Sequence, residues 1–427
     1  MRVLILPFGS HGDVHPFLGL GLALAARGHG VTIAACSYFQ ELIERTGLAN
    51  VELGTAEEFL ELAERADIWN PTRAFGHIFQ EGVARILDRQ YDLVAEQCAS
   101  GDTLVLANAF GMGARTAQEK LGAPLVTVHL QPACLWSAYE SPMLPAGALL
   151  GWMPRWVKRS LFRIGESLIL DRPCQPVLDA FRTSHGLGPV RRMARWWHSP
   201  ECVLGLFPAW FAPPQPDWPA NVHLTQFPLW DEDEVHAPTA EVDAFLAAGE
   251  PPLVFTPGSG NMHARPFFAA AVEVCQRLGR RGLLLTRFAE QVPAELPPGV
   301  MHADYVPFSR VLPRAAGIVH HGGIGTTSQG LRAGIPQLIM PMAHDQPDNA
   351  ARLVRLGVGD WLAPARFTGQ TVAAKLQPLL ESAAVQASCR DFAGRFEGIE
   401  PFDQACQVIE EFGRRRLSAG ATQAARF

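Results

Sequence analysis

Short apolar segments alternate with helical patterns in two blocks of this chain, and this alternation limits its fold more than any other feature. The strands predicted in the first block are residues 2–7, 31–35, 104–107 and 125–129. The strands predicted in the second block are residues 251–256, 283–286, 317–320 and 337–340. The helices predicted between them include residues 17–27 and 266–279. Such alternation is typical of βαβ units around a parallel sheet, so the sequence predicts an α/β chain with two doubly wound halves.

An aperiodic segment separates the two blocks. Residues 217–238 are rich in Pro, Trp and acidic residues, and neither a helical nor a strand period runs through them. A chain of 427 residues is also too long for one core, because a domain typically has about 100 to 200 residues. The predicted segments are an N-terminal domain at 1–216, a linker at 217–238, a C-terminal domain at 239–400, a final helix at 401–417 and a tail at 418–427.

Charge and cysteine usage exclude several classes of protein. The 36 Lys and Arg residues against 42 Asp and Glu residues give a net charge of −6, which disfavours nucleic-acid binding and leaves only a local anion site. The 8 cysteines include no C-x-x-C pair, so a zinc ribbon, a redox motif and a disulfide framework are not expected. The N-terminus reads as a strand rather than a signal peptide, and no apolar run reaches about 18 residues. We therefore expect a cytoplasmic protein.

The strongest local pattern follows the predicted strand at 317–320. Residues 319–327 read VHHGGIGTT and lead into a helical run. Glycines let backbone N–H groups approach a ligand closely, and the start of a helix offers unsatisfied donors at its positive dipole end. The spacing matches neither a P-loop nor a G-x-G-x-x-G fingerprint. The pattern indicates a diphosphate site, and an ordinary glycine-rich turn is the alternative.

Three more loops follow predicted strands, and ligands of open α/β sheets bind at such edges. Residues 341–350 read PMAHDQPDNA, where a carboxylate beside an amide suits vicinal sugar hydroxyls, although these residues could simply cap a helix. Residues 255–260 read FTPGSG, and residues 8–16 read FGSHGDVHP. Since the loops come from both halves, we predict that they meet in one cleft.

These loops together resemble the inverting glycosyltransferases of the GT-B fold that use UDP- or dTDP-sugars, and the resemblance covers nearly the whole chain. It implies two Rossmann-like domains that face each other across a cleft, an acceptor site in the first and a nucleotide-sugar site in the second. It also implies that the final helix crosses back to the N-terminal domain. The nucleotide sugar is then a substrate, and no cofactor is expected.

The resemblance gives roles to individual residues. Asp13, in the family's G-x-x-G-D-x-x-P form, corresponds to the general base. Because a free Asp has a pKa near 3.9 and is a weak base at pH 7, burial or a concerted transition state must help it. The expected pyrophosphate residues are Ser259, His321, Gly323, Gly325 and Thr326. Tyr305 and Val306 are expected to contact the nucleotide's base. Tyr305 replaces the Trp that stacks on this base in the family, and Val306 offers backbone contacts. Asp345 and Gln346 are assigned to the sugar hydroxyls. At the acceptor we expect His11, His15 and Trp136, the two histidines being the rivals of Asp13 as base.

No metal is expected, because the glycine-rich loop and the helix dipole would stabilise the leaving diphosphate. The run DED at 231–233 does have the D-x-D spacing by which other glycosyltransferases bind Mn²⁺ or Mg²⁺. Its place in the acidic linker favours a solvated charge run instead.

Within the family, residues 67–71, 197–200 and 206–219 are similar to the rhamnosyltransferase catalytic chain of rhamnolipid synthesis. This similarity implies transfer of L-rhamnose from dTDP-L-rhamnose to the hydroxyl of a 3-(3-hydroxyalkanoyloxy)alkanoate lipid, giving a mono-rhamnolipid. It also implies a hydroxy fatty acyl lipid as acceptor and a partner enzyme that supplies it.

Three interpretations stay open for the apolar residues 149–162 with their basic cluster at 155–159: a core, an acyl pocket, or peripheral contact with the inner membrane. Two alternatives to the rhamnosyltransferase also stay open. One is a glucosyltransferase acting on a sterol, a polyketide or another apolar acceptor. The other is a non-catalytic protein that binds a nucleotide sugar.

Overall fold

The structure of the protein is a computed structural model that describes residues 1–143, 152–235 and 238–424. Part of the predicted apolar segment (149–151), two residues of the predicted linker (236–237) and the last residues of the predicted tail (425–427) lie outside the described residues. In the described part of the chain, no helix combines the length and the apolar character needed to cross a membrane.

The described residues form two parallel sheets, which confirms the predicted α/β class. The strands are β1 (Arg2–Leu6), β2 (Gly30–Ala35), β3 (Ala49–Glu52), β4 (Thr103–Ala107), β5 (Leu125–His129), β6 (Val203–Gly205), β7 (Val222–Leu224), β8 (Leu253–Thr256), β9 (Gly282–Leu285), β10 (Val300–Ala303), β11 (Gly317–His320), β12 (Gln337–Ile339) and β13 (Gly359–Trp361). The first sheet has the order β3-β2-β1-β4-β5-β6-β7, and the second has the order β10-β9-β8-β11-β12-β13. Both are therefore doubly wound.

Helices cover the two faces of each sheet. They are α1 (His11–Ala26), α2 (Gln40–Thr46), α3 (Ala56–Ala63), α4 (Ala74–Ile78), α5 (Ala84–Cys98), α6 (Met112–Leu121), α7 (Arg155–Gly165), α8 (Arg172–Ser184), α9 (Met193–Trp196), α10 (Ala240–Ala247), α11 (Arg265–Leu278), α12 (Phe308–Val311), α13 (Ile324–Ala333), α14 (Gln346–Leu356), α15 (Gly369–Glu381), α16 (Ala383–Gly394) and α17 (Asp403–Ala424). Single π-helical turns, Phe79–Val83 and Glu166–Asp171, interrupt two of these runs. Because helices cover both faces, every residue of β4, β5, β8 and β11 is buried, as expected for inner parallel strands.

The strand order reverses direction next to β1 in the first sheet and next to β8 in the second. At each reversal the loops that follow two neighbouring strands diverge and leave a crevice at the carboxyl edge. The loop after β1 leads directly into α1, which carries Asp13. The loops after β8 and β11 carry FTPGSG and the glycine-rich segment. The fold therefore brings the loops singled out from the sequence to the two crevices.

The final helix α17 packs against the N-terminal half. Arg27, just after α1, bonds to Asp403 Oδ1 at 2.7 Å and to Glu410 Oε1 at 2.7 Å. The Arg27 and His29 side chains together lower the pKa of Glu410 to about 2. Farther along α17, Arg416 Nε lies 2.8 Å from Glu201 Oε1. Ionic contacts thus attach this helix to the N-terminal half along most of its length.

Two helices extend several residues beyond their predicted boundaries. Helix α1 begins at His11 rather than at residue 17, because Ser10 and Asp13 form a capping box that starts the helix ahead of Pro16. Helix α17 continues to Ala424, whereas the sequence predicts a tail from residue 418. The residues beyond 417 include several alanines, which have the highest helix propensity.

The predicted linker is more ordered than its composition suggests. Residues 222–224 form β7, an edge strand whose pairing with β6 could not be read from three residues without a period. The run DED is also not a solvated charge run. Asp231 is 8% exposed and accepts hydrogen bonds from the backbone N of Ser309 at 2.7 Å and from its Oγ at 3.1 Å, and Glu232 is 1% exposed. These partners lie far away in sequence, so composition alone could not reveal the burial.

Candidate active site

One cavity of about 1070 Å³ lies between the two sheets. Its lining includes all of the residues predicted for the site: His11, Asp13, His15, Trp136, Ser259, Tyr305, Val306, His321, Gly323, Gly325, Thr326, Asp345 and Gln346. The structure therefore brings the two sets of loops together. The role of each residue remains a prediction. The residues differ in their hydrogen bonds, burial and neighbouring charges.

Asp13 lies in the first turn of α1 and lines the cavity. Its Oδ2 accepts hydrogen bonds from the Ser10 backbone N at 2.8 Å and from Ser10 Oγ at 3.3 Å, while no described residue hydrogen-bonds Oδ1. Burial raises the pKa of Asp13 to about 6, although the two Ser10 bonds act in the opposite direction. Gly9 has φ +133°, and a Cβ there would collide with the Asp13 carboxylate. The local backbone thus holds a carboxylate of raised basicity at the cavity wall.

Two glycines flank the ring of His321, one in the loop after β8 and one in the glycine-rich loop after β11. A Cβ at Gly258 would lie 2.6 Å from His321 Cε1, and a Cβ at Gly323 would lie 2.5 Å from His321 Nε2, so only glycine fits on either side. Burial lowers the pKa of His321 to about 4, which keeps its imidazole neutral at pH 7. Its Nδ1 is buried without a hydrogen-bond partner among the described residues. A neutral imidazole can donate one hydrogen bond to an oxyanion.

Helix α13 begins immediately after this loop, with Gly323 as its N-cap. The first backbone N–H groups of a helix have no partner within it, and they point out of its positive end. A Cβ at Gly325 would meet no atom within 4 Å, so the helix start opens into space. Across from it, Gly258 has φ +91° and turns the loop that carries Ser259. This arrangement can hold a diphosphate through backbone donors.

Asp345 and Gln346 lie at the start of α14, on the same sheet edge. Asp345 occupies the N-cap position but makes no capping bond with its side chain, which instead accepts a bond from Asn349 Nδ2 at 2.6 Å. Gln346 Oε1 accepts bonds from the backbone N of Met342 at 2.8 Å and of Ala343 at 3.2 Å. The Gln346 carbonyl thus shapes the loop, which leaves its amide N–H groups as the donors for a ligand.

Tyr305 and Val306 form another part of the cavity wall. Tyr305 donates a hydrogen bond from its hydroxyl to the backbone carbonyl of Asp231 at 2.8 Å. The Arg287 guanidinium carbon lies 5.0 Å from the centre of the Tyr305 ring. One face of the Tyr305 ring is therefore already covered by the Arg287 cation. Arg287 lines the cavity and is a residue that sequence analysis missed.

His11 and His15 contact groups from beyond the N-terminal half. His11 Nε2 lies 2.5 Å from Arg287 Nη1, and burial together with the Arg287 charge lowers the pKa of His11 to about 2. His15 Nε2 lies 2.8 Å from Glu232 Oε1. His11 thus links α1 to the C-terminal half, and His15 links α1 to the predicted linker. The His11–Arg287 contact and the low pKa of His11 make His11 a poor proton acceptor.

Trp69 is a second residue that sequence analysis did not assign to the site. It belongs to the N-terminal half, yet its ring centroid lies 5.8 Å from that of His344, next to Asp345. A Cβ at Gly260 would lie 4.0 Å from Trp69 Cζ2. The indole Nε1 is buried without a hydrogen-bond partner among the described residues. Trp69 therefore reaches across the cleft to the loops of the C-terminal half.

The far end of the cavity is apolar. Trp136 packs against Phe162 of α7 with ring centroids 5.6 Å apart, and both line the cavity. Leu161, Ile164 and Leu170 continue the same wall. This end can accept a hydrocarbon chain. Within the described residues, no group of three or more His, Cys, Asp or Glu side chains is arranged to hold a metal ion.

Comparisons with known proteins give matches in both halves of the chain. Residues 3–139 match the model of the glycosyltransferase family 28 N-terminal domain, and residues 284–396 match the model of the erythromycin biosynthesis protein CIII-like C-terminal domain. The O-mycaminosyltylonolide 6-deoxyallosyltransferase of Streptomyces fradiae is 30% identical over 98% of this chain and 99% of its own length. Glycosyltransferase GtfC of Amycolatopsis orientalis is 30% identical over 84% of this chain and 85% of its own length.

Solved structures resemble the fold over nearly the whole chain. The kitacinnamycin glycosyltransferase has a TM-score of 0.71 at 23% identity, and the match covers 96% of this chain and 98% of that one. VinC in complex with dTDP has a TM-score of 0.68 at 21% identity, with coverage of 97% of this chain and 100% of that one. The spinosyn rhamnosyltransferase SpnG complexed with thymidine diphosphate has a TM-score of 0.66 at 19% identity, with coverage of 96% and 100%.

Proposed function

This chain belongs to the GT-B glycosyltransferases, with a family 28 N-terminal domain and an erythromycin CIII-like C-terminal domain. We propose that it transfers L-rhamnose from dTDP-L-rhamnose to the hydroxyl of a 3-(3-hydroxyalkanoyloxy)alkanoate. The product would be a mono-rhamnolipid. The observation that carries the proposal is the cavity whose lining brings Asp13 together with the glycine-rich loops and with an apolar end around Trp136 and Phe162.

In this proposal Asp13 is the general base. As the acceptor oxygen attacks the anomeric carbon, its proton passes to Asp13 Oδ1, the oxygen that no described residue hydrogen-bonds. The new C–O bond forms on the face of the sugar opposite the leaving diphosphate, so the anomeric configuration inverts. A pKa of about 6 leaves most of the carboxylate ionised at pH 7 while making it a better base than a free Asp.

The leaving dTDP gains negative charge as the anomeric bond breaks. The N–H groups at the start of α13, the Thr326 and Ser259 hydroxyls and the neutral His321 are the donors proposed to stabilise that charge. Fixed dipoles of this kind act most strongly in a site that excludes water. Asp345 and the Gln346 amide are proposed to bind the sugar hydroxyls. No step in this mechanism requires a metal.

Two observations support a thymidine diphosphate donor with a deoxysugar. VinC and SpnG, both similar in fold, are described as complexes with thymidine diphosphate, and SpnG is described as a rhamnosyltransferase. The relative from Streptomyces fradiae is described as a 6-deoxyallosyltransferase. L-rhamnose is likewise a 6-deoxyhexose.

The lipid acceptor is supported by the apolar end of the cavity around Trp136 and Phe162. Among the three stretches similar to the rhamnolipid enzyme, residues 67–71 contribute Trp69 to the cavity wall, whereas 206–219 largely pack in the core around Phe207 and Phe211. With a lipid acceptor, the enzyme would work in peripheral contact with a membrane, beside the enzyme that supplies the acceptor.

A second candidate uses the same chemistry on a polyketide acceptor. It is favoured by the names of the relatives, which include the tylonolide-modifying enzyme and a spinosyn rhamnosyltransferase. The apolar wall would accept a macrolide as well as an acyl chain, so the two candidates differ in acceptor and not in mechanism.

The decisive experiment is a matrix of donors and acceptors with the purified full chain. dTDP-L-rhamnose, dTDP-glucose and UDP-glucose are each incubated with a hydroxyalkanoyloxyalkanoate, with a macrolide aglycone and without acceptor, in the presence and absence of EDTA. We expect rhamnosyl transfer to the lipid, inverted stereochemistry by NMR and no loss of rate with EDTA. Turnover confined to the macrolide would support the second candidate. Binding of the donor without turnover of any acceptor would favour a non-catalytic binding protein.

Trp69 is proposed to contact the donor as well, because its buried indole Nε1 has no partner among the described residues and its ring lies beside His344. We expect Trp69→Phe to lower kcat/KM for the donor by about fivefold, because the indole N–H loses a ligand partner, and Trp69→Ala to lower it by about thirtyfold through loss of ring contact as well. Trp361→Phe, an exposed position on β13 outside the cavity, is the matched control. Steady-state kinetics with varied donor measure the effect. Equal kinetics for Trp69→Ala and wild type would show that Trp69 does not touch the donor.

A further inference from the structure

Helix α7 and its flanks carry an exposed apolar surface, which we call the α7 face and define as Trp152, Trp156, Leu161, Ile164 and Leu168. The exposed fractions are 78% for Trp152 and 72% for Trp156, the highest among the exposed large hydrophobic residues of the described chain. Ile164 and Leu168 are 55% and 58% exposed. Exposed tryptophans on a helix are costly in water unless a partner covers them, so this surface needs an explanation.

The same helix carries a row of cations. Arg155, Arg159 and Arg163 follow each other at intervals of four residues and are exposed, so they lie on one side of α7. Arg155 stacks over the Tyr139 ring, and neither Arg159 nor Arg163 has an ion-pair partner among the described residues. These side chains are therefore available to an external anion.

Carboxylates are absent from this part of the sequence. None occurs between Glu140 and Glu166, although the whole chain has a net charge of −6. Glu166 is 1% exposed and accepts a bond from Arg192 Nε at 2.9 Å, so it does not neutralise the α7 face. The α7 face and the arginine row on the same helix thus together present exposed aromatic and aliphatic side chains and unneutralised cations, the composition of helices that lie at the surface of an anionic membrane.

The apolar end of the cavity reaches this face. Leu161 and Ile164 belong to the face and also line the cavity, together with Met153 on the turn before α7. Phe162, on the inner side of the same helix, packs against Trp136 within the cavity. A hydrocarbon chain entering at Leu161 and Ile164 would therefore follow an apolar wall towards the reaction site.

We propose that the α7 face docks on a lipid bilayer with anionic headgroups and that the acyl acceptor enters the cavity from that bilayer. Tryptophan rings fit the boundary between headgroups and acyl chains, and arginines bind lipid phosphates. A bilayer fits better than a protein partner because the described face presents no carboxylate for pairing with a partner's charges. The docking itself follows from the face alone, whereas the entry of the acceptor rests on the proposed function.

The test measures vesicle binding of the full chain by sedimentation, without substrates. Vesicles of phosphatidylcholine alone are compared with vesicles containing about a quarter phosphatidylglycerol. We expect at least tenfold stronger partition into the anionic vesicles, weakened by salt. Trp152→Ser combined with Trp156→Ser, and separately Arg159→Glu combined with Arg163→Glu, should each lower this partition about tenfold or more. Trp361→Ser combined with Arg390→Glu changes an exposed Trp and an exposed Arg elsewhere and should bind like wild type.

A second measurement separates docking from catalysis. With the acceptor embedded in vesicles, the Trp152/Trp156 variant should lose rate about tenfold, whereas its rate with a soluble short-chain acceptor should equal that of wild type. Failure of the proposed function would appear as no lipid transfer despite intact vesicle binding. The docking proposal is overturned if wild type does not bind anionic vesicles, or if both pairs of variants bind like wild type. Concentration-dependent dimers that disappear in the tryptophan variant, without vesicle binding, would instead identify the face as a contact between two copies.

Discussion

Asp13→Asn is expected to lower the rate of sugar transfer roughly 10³-fold while leaving donor affinity within about twofold of wild type. The carboxamide has nearly the same shape and can still accept the bond from the Ser10 backbone N, but it cannot take the acceptor proton. Single-turnover kinetics and donor titration by calorimetry measure the two quantities. A variant that transfers at the wild-type rate would remove Asp13 from the mechanism.

The pH dependence gives an independent test of the same assignment. Burial raises the pKa of Asp13 to about 6, and the base acts only when deprotonated, so the transfer rate should rise about tenfold per pH unit below 6 and then level off. Ser10→Ala removes the Oγ bond to the carboxylate, a bond that favours the charged form, so it should shift the rise to higher pH. A rate that is flat from pH 5 to pH 8 would contradict the assignment.

The alternative role of Asp13 is purely structural. Together with Ser10 it forms the capping box of α1, and loss of a cap costs typically about 1 kcal/mol of stability. Asp13→Ala loses this capping bond, so it should lower the melting temperature by a few degrees, whereas Asp13→Asn keeps the bond from the Ser10 backbone N. Comparing rates at a temperature where both proteins are fully folded therefore separates the two roles.

The central strands could be predicted from the sequence because they are buried on both faces. The predicted strands at 125–129 and 317–320 coincide with β5 and β11, since a buried parallel strand is a continuous apolar run bounded by turn residues. The candidate site residues could also be predicted, because they follow such strands and the topology of a parallel sheet brings the carboxyl ends of its strands to one edge.

Features that depend on distant partners could not be predicted. Glu232 is buried against His15 and Arg287, which are separated from it by far more residues than any local pattern covers. The contact of Trp69 with the opposite half likewise depends on how the two halves meet. For α7, a helical pattern of Trp, Leu and Arg does not reveal which side faces a core, and only the structure shows Trp156 outside and Phe162 inside.

Asp345→Asn is expected to lower kcat/KM for the donor about 10²-fold, because the sugar hydroxyls lose hydrogen bonds to a charged acceptor. Asn keeps the shape of the side chain and can still accept the bond from Asn349 Nδ2. Asp391→Asn on the exposed surface of α16 is the matched control. Kinetics with varied dTDP-sugar measure the change, and an unchanged kcat/KM would exclude Asp345 from sugar binding.

The same substitution should make the free protein more stable at high pH. Burial, with a smaller contribution from the Asp13 charge, raises the pKa of Asp345 from 3.8 to about 7, so its charged form is disfavoured in the folded state. For a carboxyl with a raised pKa, the wild-type free energy of unfolding falls as the pH rises from about 4 to about 7. Asp345→Asn lacks this ionisation, so it should unfold at a higher denaturant concentration than wild type at pH 8, with the difference disappearing below about pH 4.

Loss of transfer combined with this gain in stability is the signature of a carboxylate kept for binding, because a residue retained only for folding would lose stability when replaced. An Asn variant less stable than wild type at pH 8 would indicate the structural role.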